Sequence, residues 1–149
     1  MAFMRMSVLD NDTFLNVDLE IFSKSDLQLL VAALGRRIHL HFIGMEFGLH
    51  KAHFDLAQQP ETPEAGILAF CRLIQKLPQP ERALWDSAKF RSFDIGIEAP
   101  GRGRYFWSAI GSKAIEAAAN AGAQIAITIY RPMKAAGPAK RKSRSSPRD

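Results

Sequence analysis

The sequence predicts an α+β domain in which helices cover one face of a mainly antiparallel sheet. Several short segments alternate apolar and polar residues with a period of two, which is typical of strands with one buried face. Other segments repeat apolar residues every three or four positions, which indicates amphipathic helices. We expect the order β-α-β-β-α-β-β-α-β, with a possible ferredoxin-like start, β-α-β-β-α-β.

The first half of the chain contains three predicted strands and one helix. Alternation over residues 15–21 predicts the first strand. The first helix is expected to begin at Ser25, whose hydroxyl has capping-box spacing, and to end at Gly35. Alternating residues 38–42 and 51–56 predict two further strands, with Phe42 among the inward residues. The short turn between these strands indicates an antiparallel hairpin.

Two helices and a fourth strand are predicted next. Thr62 and Pro63 have the pattern of a helix N-terminus, with a capping residue followed by proline. A second, shorter helical segment covers residues 81–88. Residues 90–98 alternate again, with apolar side chains on one face, and this pattern indicates the fourth strand.

The last part of the domain is predicted to contain two strands and a helix. A short aromatic strand is expected at Tyr105–Ala109, followed by an alanine-rich helix that Ser112 caps and whose inward face includes Ile115. The final strand is expected at Ile125–Tyr130. Its isoleucines lie on one face and should contribute much of the buried area, because alanine faces bury little.

The charge distribution separates a neutral body from a basic C-terminal tail. The net charge is +5, yet residues 1–133 contain 14 basic and 14 acidic side chains. The excess lies in residues 133–149, which have no large apolar side chain beyond Met133 and are predicted to form a disordered basic tail. We therefore expect an irregular segment at 1–13, one domain at 14–132 and a tail at 133–149.

Cysteine content and hydropathy predict a cytoplasmic protein. The single cysteine cannot form an internal disulfide, which fits a reducing compartment. No apolar run approaches the length that spans a bilayer, and residues 1–10 lack the pattern of a secretory signal. We therefore expect no membrane partner, and the oligomeric state stays open.

Clustered histidines are weak candidates for metal ligands. His39 and His41 share one face of a predicted strand, and His53 can lie opposite them across the hairpin. Three imidazoles on one face can bind zinc. However, no cysteine or helical His-x-x-x-His pair accompanies them, so a solvated polar face is the alternative and no cofactor is predicted.

Acidic side chains on two strands form a second candidate group. Asp18 and Glu20 on one strand, and Asp94 and Glu98 on another, lie on polar faces. If the two strands are neighbours, paired carboxylates can support acid–base chemistry. Asp94, between Phe93 and Ile95, is the first of these to test.

A Gly/Arg loop followed by aromatic residues is a candidate binding surface. Arg102 and Arg104 precede Tyr105 and Trp107, and these residue types are frequent interface anchors. The loop could also bind phosphate, although phosphate loops usually lead into a helix. Aromatic residues beside arginines also suit single-stranded nucleic acid.

The C-terminal tail is the candidate nucleic-acid contact. Lys140, Arg141, Lys142 and Arg144 could bind phosphates through counterion release. Short basic tails also occur as solubilising ends, so charge alone leaves both interpretations open.

Several segments together resemble a broad group of bacterial domains of unknown function. These segments are residues 15–20, Leu84-Trp85-Asp86, residues 93–96 and residues 121–130, the last with a Gly-Ala turn before a strand ending in Ile-Tyr. Some relatives in that group are thought to be toxin-immunity proteins. The resemblance implies a protein partner such as a toxin, and it implies no catalytic residues.

We therefore predict a non-enzymatic domain that binds another macromolecule. The predicted contacts are Arg102, Arg104, Tyr105, Trp107 and Asp94. Two alternatives stay open. The first is a nucleic-acid-associated protein that uses its tail, and the second is a metal-binding or small-ligand protein, or an enzyme, that uses the histidine face.

Overall fold

The computed structural model describes residues 13–99 and 105–131, which contain five strands and four α-helices. The strands are β1 Phe14–Ser23, β2 Ile38–Glu46, β3 Leu49–Leu56, β4 Phe90–Glu98 and β5 Gln124–Tyr130. The helices are α1 Gln28–Leu34, α2 Pro63–Gln75, α3 Gln79–Asp86 and α4 Ser112–Asn120, and a 3-10 turn at Gly35–Arg37 follows α1. The predicted α+β class is confirmed.

All five strands belong to one sheet in the order β2-β3-β1-β4-β5. β1 lies at the centre and pairs antiparallel with β3 and β4, while β4 and β5 are parallel. β3 lies between β1 and β2, and β1 lies between β3 and β4, so the first four strands form two interleaved split β-α-β units. This is the expected ferredoxin-like start, extended by α4 and β5.

The core lies on one face of the sheet. Val17, Leu19 and Ile21 of β1 are fully buried there, as the period-two alternation predicts. Phe70 of α2 packs between Phe54 of β3 and Phe93 of β4, with ring centroids 6.1 and 5.7 Å away. Aromatic pairs at such distances contribute about 0.5–1.5 kcal/mol beyond their buried area. The opposite, open face of the sheet carries polar side chains such as Asp18 and Glu20 together with Phe22 and Phe90, whose ring centroids are 5.9 Å apart.

Gly66 allows α2 to lie close to the centre of the sheet. A β-carbon at this position would lie 2.8 Å from Val17 Cγ2 and 3.0 Å from Pro60 Cγ. Packed interiors leave no room for an extra methyl group at such distances. The glycine therefore sets the distance between α2 and β1.

Arg91 and Trp85 join the ends of α3 and α4 to β4. The Arg91 guanidinium donates to the carbonyls of Trp85 (2.6 Å) and Gly122 (2.9 Å). The indole Nε1 of Trp85, which is buried, donates to the carbonyl of Ala121 at 2.9 Å. These bonds satisfy carbonyls at two helix C-termini, which the helices themselves leave without partners.

Side-chain caps differ in part from the expected ones. Thr62 accepts from the backbone N–H of Ala65 at 3.1 Å, as predicted. The helix expected from Ser25 begins at Gln28, whose N–H donates to Asp26 Oδ1 at 2.7 Å. α4 likewise lacks a cap from Ser112, and the Glu64 carboxylate instead accepts from the N–H of Gly111 at 2.9 Å.

The predicted aromatic strand Tyr105–Ala109 is absent, since residues 105–110 have no regular secondary structure. A hairpin partner for β4 would need a free edge of that strand. β4 is paired with β1 on one side and β5 on the other, so neither edge is free. The chain instead returns through α4, and β5 pairs parallel with the edge of β4 that an added strand would need.

The expected burial of the last strand is also wrong. Ile127 and Ile129 are 60% and 67% exposed, because β5 is an edge strand beyond the area that the helices cover. Ile115 points outward as well, and α4 packs through Ala114 and Ala118. Small side chains let this helix pack closely but bury little area.

Two predicted parts of the chain lie outside the described residues. They are the irregular N-terminal segment, except Thr13, and the basic tail from residue 133 onward. Within the described ranges, every helix is too short or too polar to cross a bilayer.

Cys71 is a buried core residue of α2. Burial raises the pKa of its thiol, an effect that the positive charge of Arg72 partly opposes. The thiolate is the reactive form of cysteine, so the buried thiol is a poor nucleophile.

Replacing Gly66 with alanine should lower the free energy of unfolding by about 1–3 kcal/mol, because the added methyl group overpacks the contact with Val17. In a helix without such contacts the same change would stabilise by about 1 kcal/mol. Urea unfolding measured by circular dichroism gives the sign. Ala65→Gly at the exposed neighbouring position is the control and should lose at most about 1 kcal/mol. A more stable Gly66→Ala variant would contradict the packing of α2 on β1.

Cys71 should react with a thiol reagent at pH 8 about 100-fold more slowly in the folded protein than in urea, because reaction requires opening of the core. Its raised pKa also predicts a pH effect. Above pH 9.0, the ordinary value, the unfolded thiol ionises first, so the free energy of unfolding should fall as the pH rises. Equal labelling rates in the two states would show that Cys71 is accessible.

Candidate metal centre

The open face of the sheet carries three aspartates side by side. In the strand register Asp55 of β3 lies opposite Asp18 of β1, and Asp18 lies opposite Asp94 of β4. His39 of β2 and Ala126 of β5 complete this row across the sheet. Like charges directly opposite each other on neighbouring strands are destabilising. The row therefore concentrates negative charge, and no lysine or arginine within the row compensates it.

Asp55 is the most buried member of the row. Its side chain is 10% exposed, and its Oδ2 accepts a hydrogen bond from the Asn16 side-chain amide. Its other oxygen, Oδ1, is buried and accepts no hydrogen bond from any described residue. A buried carboxylate oxygen without a donor is costly unless a cation or a polar group compensates it. This oxygen is therefore a strong candidate for a ligand atom.

Two imidazoles lie beside that oxygen. His41 Nε2 is 3.2 Å and His39 Nδ1 is 3.5 Å from Asp55 Oδ1. Both nitrogens are within ion-pair distance, but neither is aligned to form a hydrogen bond with this oxygen. His53 Nε2 lies 2.9 Å from Asp18 Oδ2, and the rings of His41 and His53 are 5.2 Å apart. The three predicted histidines therefore surround the carboxylates of Asp18 and Asp55.

A β-bulge in β2 positions His41. The register between β2 and β3 shifts between Leu40 and Phe42, so that Phe42, and not His41, lies opposite His53. His41 is the extra residue, and its imidazole lies beside Asp55. Beyond the bulge the strand exchanges its faces. Phe42 consequently lies on the open face beside Lys51, which corrects the expectation that it belongs to the apolar face.

The distances suit a metal ion. One ligand atom from each of Asp18, His41 and Asp55 lies within 4.8 Å of the other two. Ligand atoms at tetrahedral angles around zinc lie about 3.3 Å apart, since each is about 2.0–2.1 Å from the metal. The 3.2 Å separation of His41 Nε2 and Asp55 Oδ1 already matches this value. A small side-chain rotation of the partly exposed Asp18 would complete the set.

Other charged groups on this face are already partnered. Lys51 lies 2.6 Å from Glu46 and 4.0 Å from Glu20, so its charge is shared by two carboxylates away from the aspartate row. Asp94 accepts from the Thr128 hydroxyl at 2.8 Å. The strands of Asp18 and Asp94 are neighbours, as the carboxylate-pair hypothesis required.

The predicted contact residues outside this cluster are spread over the chain. Tyr105 and Trp107 are 76% and 62% exposed and lie in the irregular segment between β4 and α4. Arg102 and Arg104 lie outside the described residues, as do the tail residues Lys140, Arg141, Lys142 and Arg144.

Sequence reasoning missed Asp55 and Asn16 as members of the site. The available signal was the phase of the alternation, which places Asp55 on the same face as His53. The missing information was the strand order. Only the pairing of β3 with β1 brings Asp18 and Asn16 to Asp55.

Comparisons of the chain with protein families, with curated proteins and with solved structures found no match. The resemblance to bacterial domains of unknown function therefore stays a prediction.

Proposed function

We propose that this protein binds a divalent first-row transition-metal ion, represented by Zn²⁺, on the open face of its sheet. Asp18, His41 and Asp55 supply the ligand atoms. The observation that carries the proposal is Asp55 Oδ1, a buried carboxylate oxygen without a hydrogen-bond donor among the described residues and with two imidazole nitrogens beside it.

The donor set selects the class of metal. Imidazole nitrogen suits zinc, iron, copper and nickel, whereas sites made wholly of oxygen suit magnesium and calcium. Asp18 and Asp55 together supply the two negative charges that neutralise a divalent ion. Binding would also relieve the repulsion between these directly opposed carboxylates.

His53 and His39 support the site in different ways. The contact of His53 with Asp18 Oδ2 holds that carboxylate in place and leaves its other oxygen for the metal. His39 Nδ1, 3.5 Å from Asp55 Oδ1, is close enough to act as a fourth ligand after a rotation of its exposed ring. With three protein ligands, a coordination position stays open to water or to a bound molecule.

Untagged protein should bind one Zn²⁺ ion per chain, and zinc at a concentration 100-fold above Kd should raise the free energy of unfolding by about 2.7 kcal/mol. His41→Ala should weaken binding at least about tenfold, because it removes a ligand. Lower pH should also weaken binding, since a protonated imidazole cannot bind the metal. Calorimetric titration and thermal unfolding with and without EDTA measure these effects.

His50→Ala is the matched control, because His50 occupies the opposite phase of β3 from His53 and Asp55. It should leave zinc affinity unchanged. Asp55→Asn should abolish the zinc effect while leaving the metal-free protein as stable or more stable, because it removes a repelling charge. Equal zinc binding by His41→Ala and wild type, or no stabilisation of the wild type by zinc, would overturn the proposal.

Binding of a protein partner is the second candidate function, and the exposure of Tyr105 and Trp107 favours it. Large aromatic side chains are enriched at the centres of interfaces. The resemblance to bacterial domains with toxin-immunity relatives suggests a toxin as the kind of partner. Asp94, on the open face of the sheet, stays a predicted contact, as do Arg102 and Arg104, which lie outside the described residues.

A photo-crosslinking residue in place of Trp107 should capture one specific partner in cells. The matched control is the same residue in place of Leu29, which is 67% exposed on α1, compared with 62% for Trp107. Tyr105→Ala should reduce the crosslink at position 107, because it removes a neighbouring contact. Identical products from the two positions, or no effect of Tyr105→Ala, would count against this candidate.

A further inference from the structure

A cleft on the helix side of the sheet is lined by both cationic and apolar residues. Its volume is about 730 Å³, within the range of about 300–1,000 Å³ that is typical of small-ligand sites. The 3-10 turn after α1, the segment from β3 to α2 and one side of α2 form its walls. It lies apart from the Asp18–His41–Asp55 cluster, none of whose members lines it.

Four cationic side chains from two separate elements line this cleft. Arg36 and Arg37 come from the 3-10 turn, and Arg72 and Lys76 come from the C-terminal end of α2. All four are exposed, and in the described ranges none of their side chains forms an ion pair or a hydrogen bond. Glu61 is the single acidic residue in the lining, so three positive charges are left without a counterion.

The cationic lining contrasts with the balanced charge of the domain. Residues 1–133 contain equal numbers of basic and acidic side chains, and yet four of the basic ones converge on one cleft. Positive charge near a helix C-terminus is favourable, which accounts for Arg72 and Lys76. Arg36 and Arg37 lie in the last turn of the 3-10 helix that follows α1, so the same effect applies to them. The feature specific to this cleft is that two separate elements bring their C-terminal cations to one lining.

The uncharged lining gives the second part of the ligand's chemistry. Leu56, Ala69 and Leu73 contribute apolar surface, and Gln58 and Gln59 belong to the same lining. An apolar surface with a few polar groups at its edge suits a planar or hydrophobic moiety. Arginine forks bind phosphate oxygens in pairs, and three net charges match a di- or triphosphate.

We infer that this cleft binds a phosphate-bearing small molecule of nucleotide size. Its phosphates lie against Arg36, Arg37, Arg72 and Lys76, and its ring or apolar part lies over Leu56 and Leu73. This site is independent of the proposed metal centre, and either can fail without the other.

The test is a titration of the full chain with a fluorescent ATP analogue, with EDTA present so that the metal centre does not contribute. We expect saturable binding below about 1 mM. Arg72→Gln with Lys76→Gln should weaken it at least about tenfold, and Arg36→Gln with Arg37→Gln should have the same effect, because each pair removes two phosphate contacts. All four positions are exposed, so the fold should be retained, which circular dichroism checks.

The matched control is Lys24→Gln with Lys113→Gln, which removes the same charge at exposed positions outside the cleft. It should bind as the wild type does. Displacement of the analogue by inorganic triphosphate would support recognition of the phosphates. Equal loss in the control and cleft variants, displacement by adenosine alone, stronger competition by a single-stranded oligonucleotide than by ATP, or no saturable binding would overturn the inference.

Discussion

The register of β1 between β3 and β4 determines what the open face of the sheet presents. Val17, Leu19 and Ile21 are fully buried, so a one-residue slip would move all three from the core into water. Each such side chain contributes about 1.5–3 kcal/mol when buried, which far exceeds the repulsion between neighbouring surface charges. The core therefore holds Asp18 directly between Asp55 and Asp94, although the three carboxylates repel one another.

The same constraint explains why the candidate metal centre needs little support from loops. Its ligands stand on three paired strands, whose backbones cannot move apart without breaking the sheet. Asn16 and His53 further restrict the carboxylates of Asp55 and Asp18. The backbone of such a framework is in place before an ion binds, so binding has to order only side chains, and this lowers its free-energy cost.

β3 supplies both of the proposed sites through consecutive residues. Asp55 points to the open face, and Leu56 points to the helix side and into the cationic cleft. This alternation is the ordinary geometry of a strand. The two proposed sites therefore lie on opposite faces of one sheet. The carboxylates on the open face suit a cation, and the basic side chains beside α2 suit an anion. The neutral total charge of residues 1–133 conceals this separation.

Local patterns in the sequence predicted which residues of β1 and β3 share a face, but not which strands are neighbours. The alternation in residues 15–21 and 51–56 was sufficient to assign Asp18 and His53 to a polar face. Strand order depends on contacts between distant segments, and no local pattern encodes that β3 and β4 both pair with β1. For that reason Asp55 was missed, and a strand was expected at Tyr105–Ala109 that the structure does not contain. The predicted cap of α1 was wrong for a different reason. Ser25 and Asp26 are both capping residue types, and the local geometry gives the hydrogen bond from the Gln28 N–H to Asp26.

The bulge in β2 is the feature that turns a polar face into a set of converging ligands. In a regular hairpin His41 would lie opposite His53, and Phe42 would face the core. The extra residue displaces Phe42 to the open face and leaves His41 without a partner in the ladder. Bulges bend a strand and re-aim side chains, and they are frequent beside functional sites. Here the bend brings His41 Nε2 to 3.2 Å from the one oxygen of Asp55 that accepts no hydrogen bond from the described residues. The bulge exposes Phe42, which loses burial free energy, and places His41 beside the buried carboxylate of Asp55. A cation bound by both His41 and Asp55 would compensate that loss.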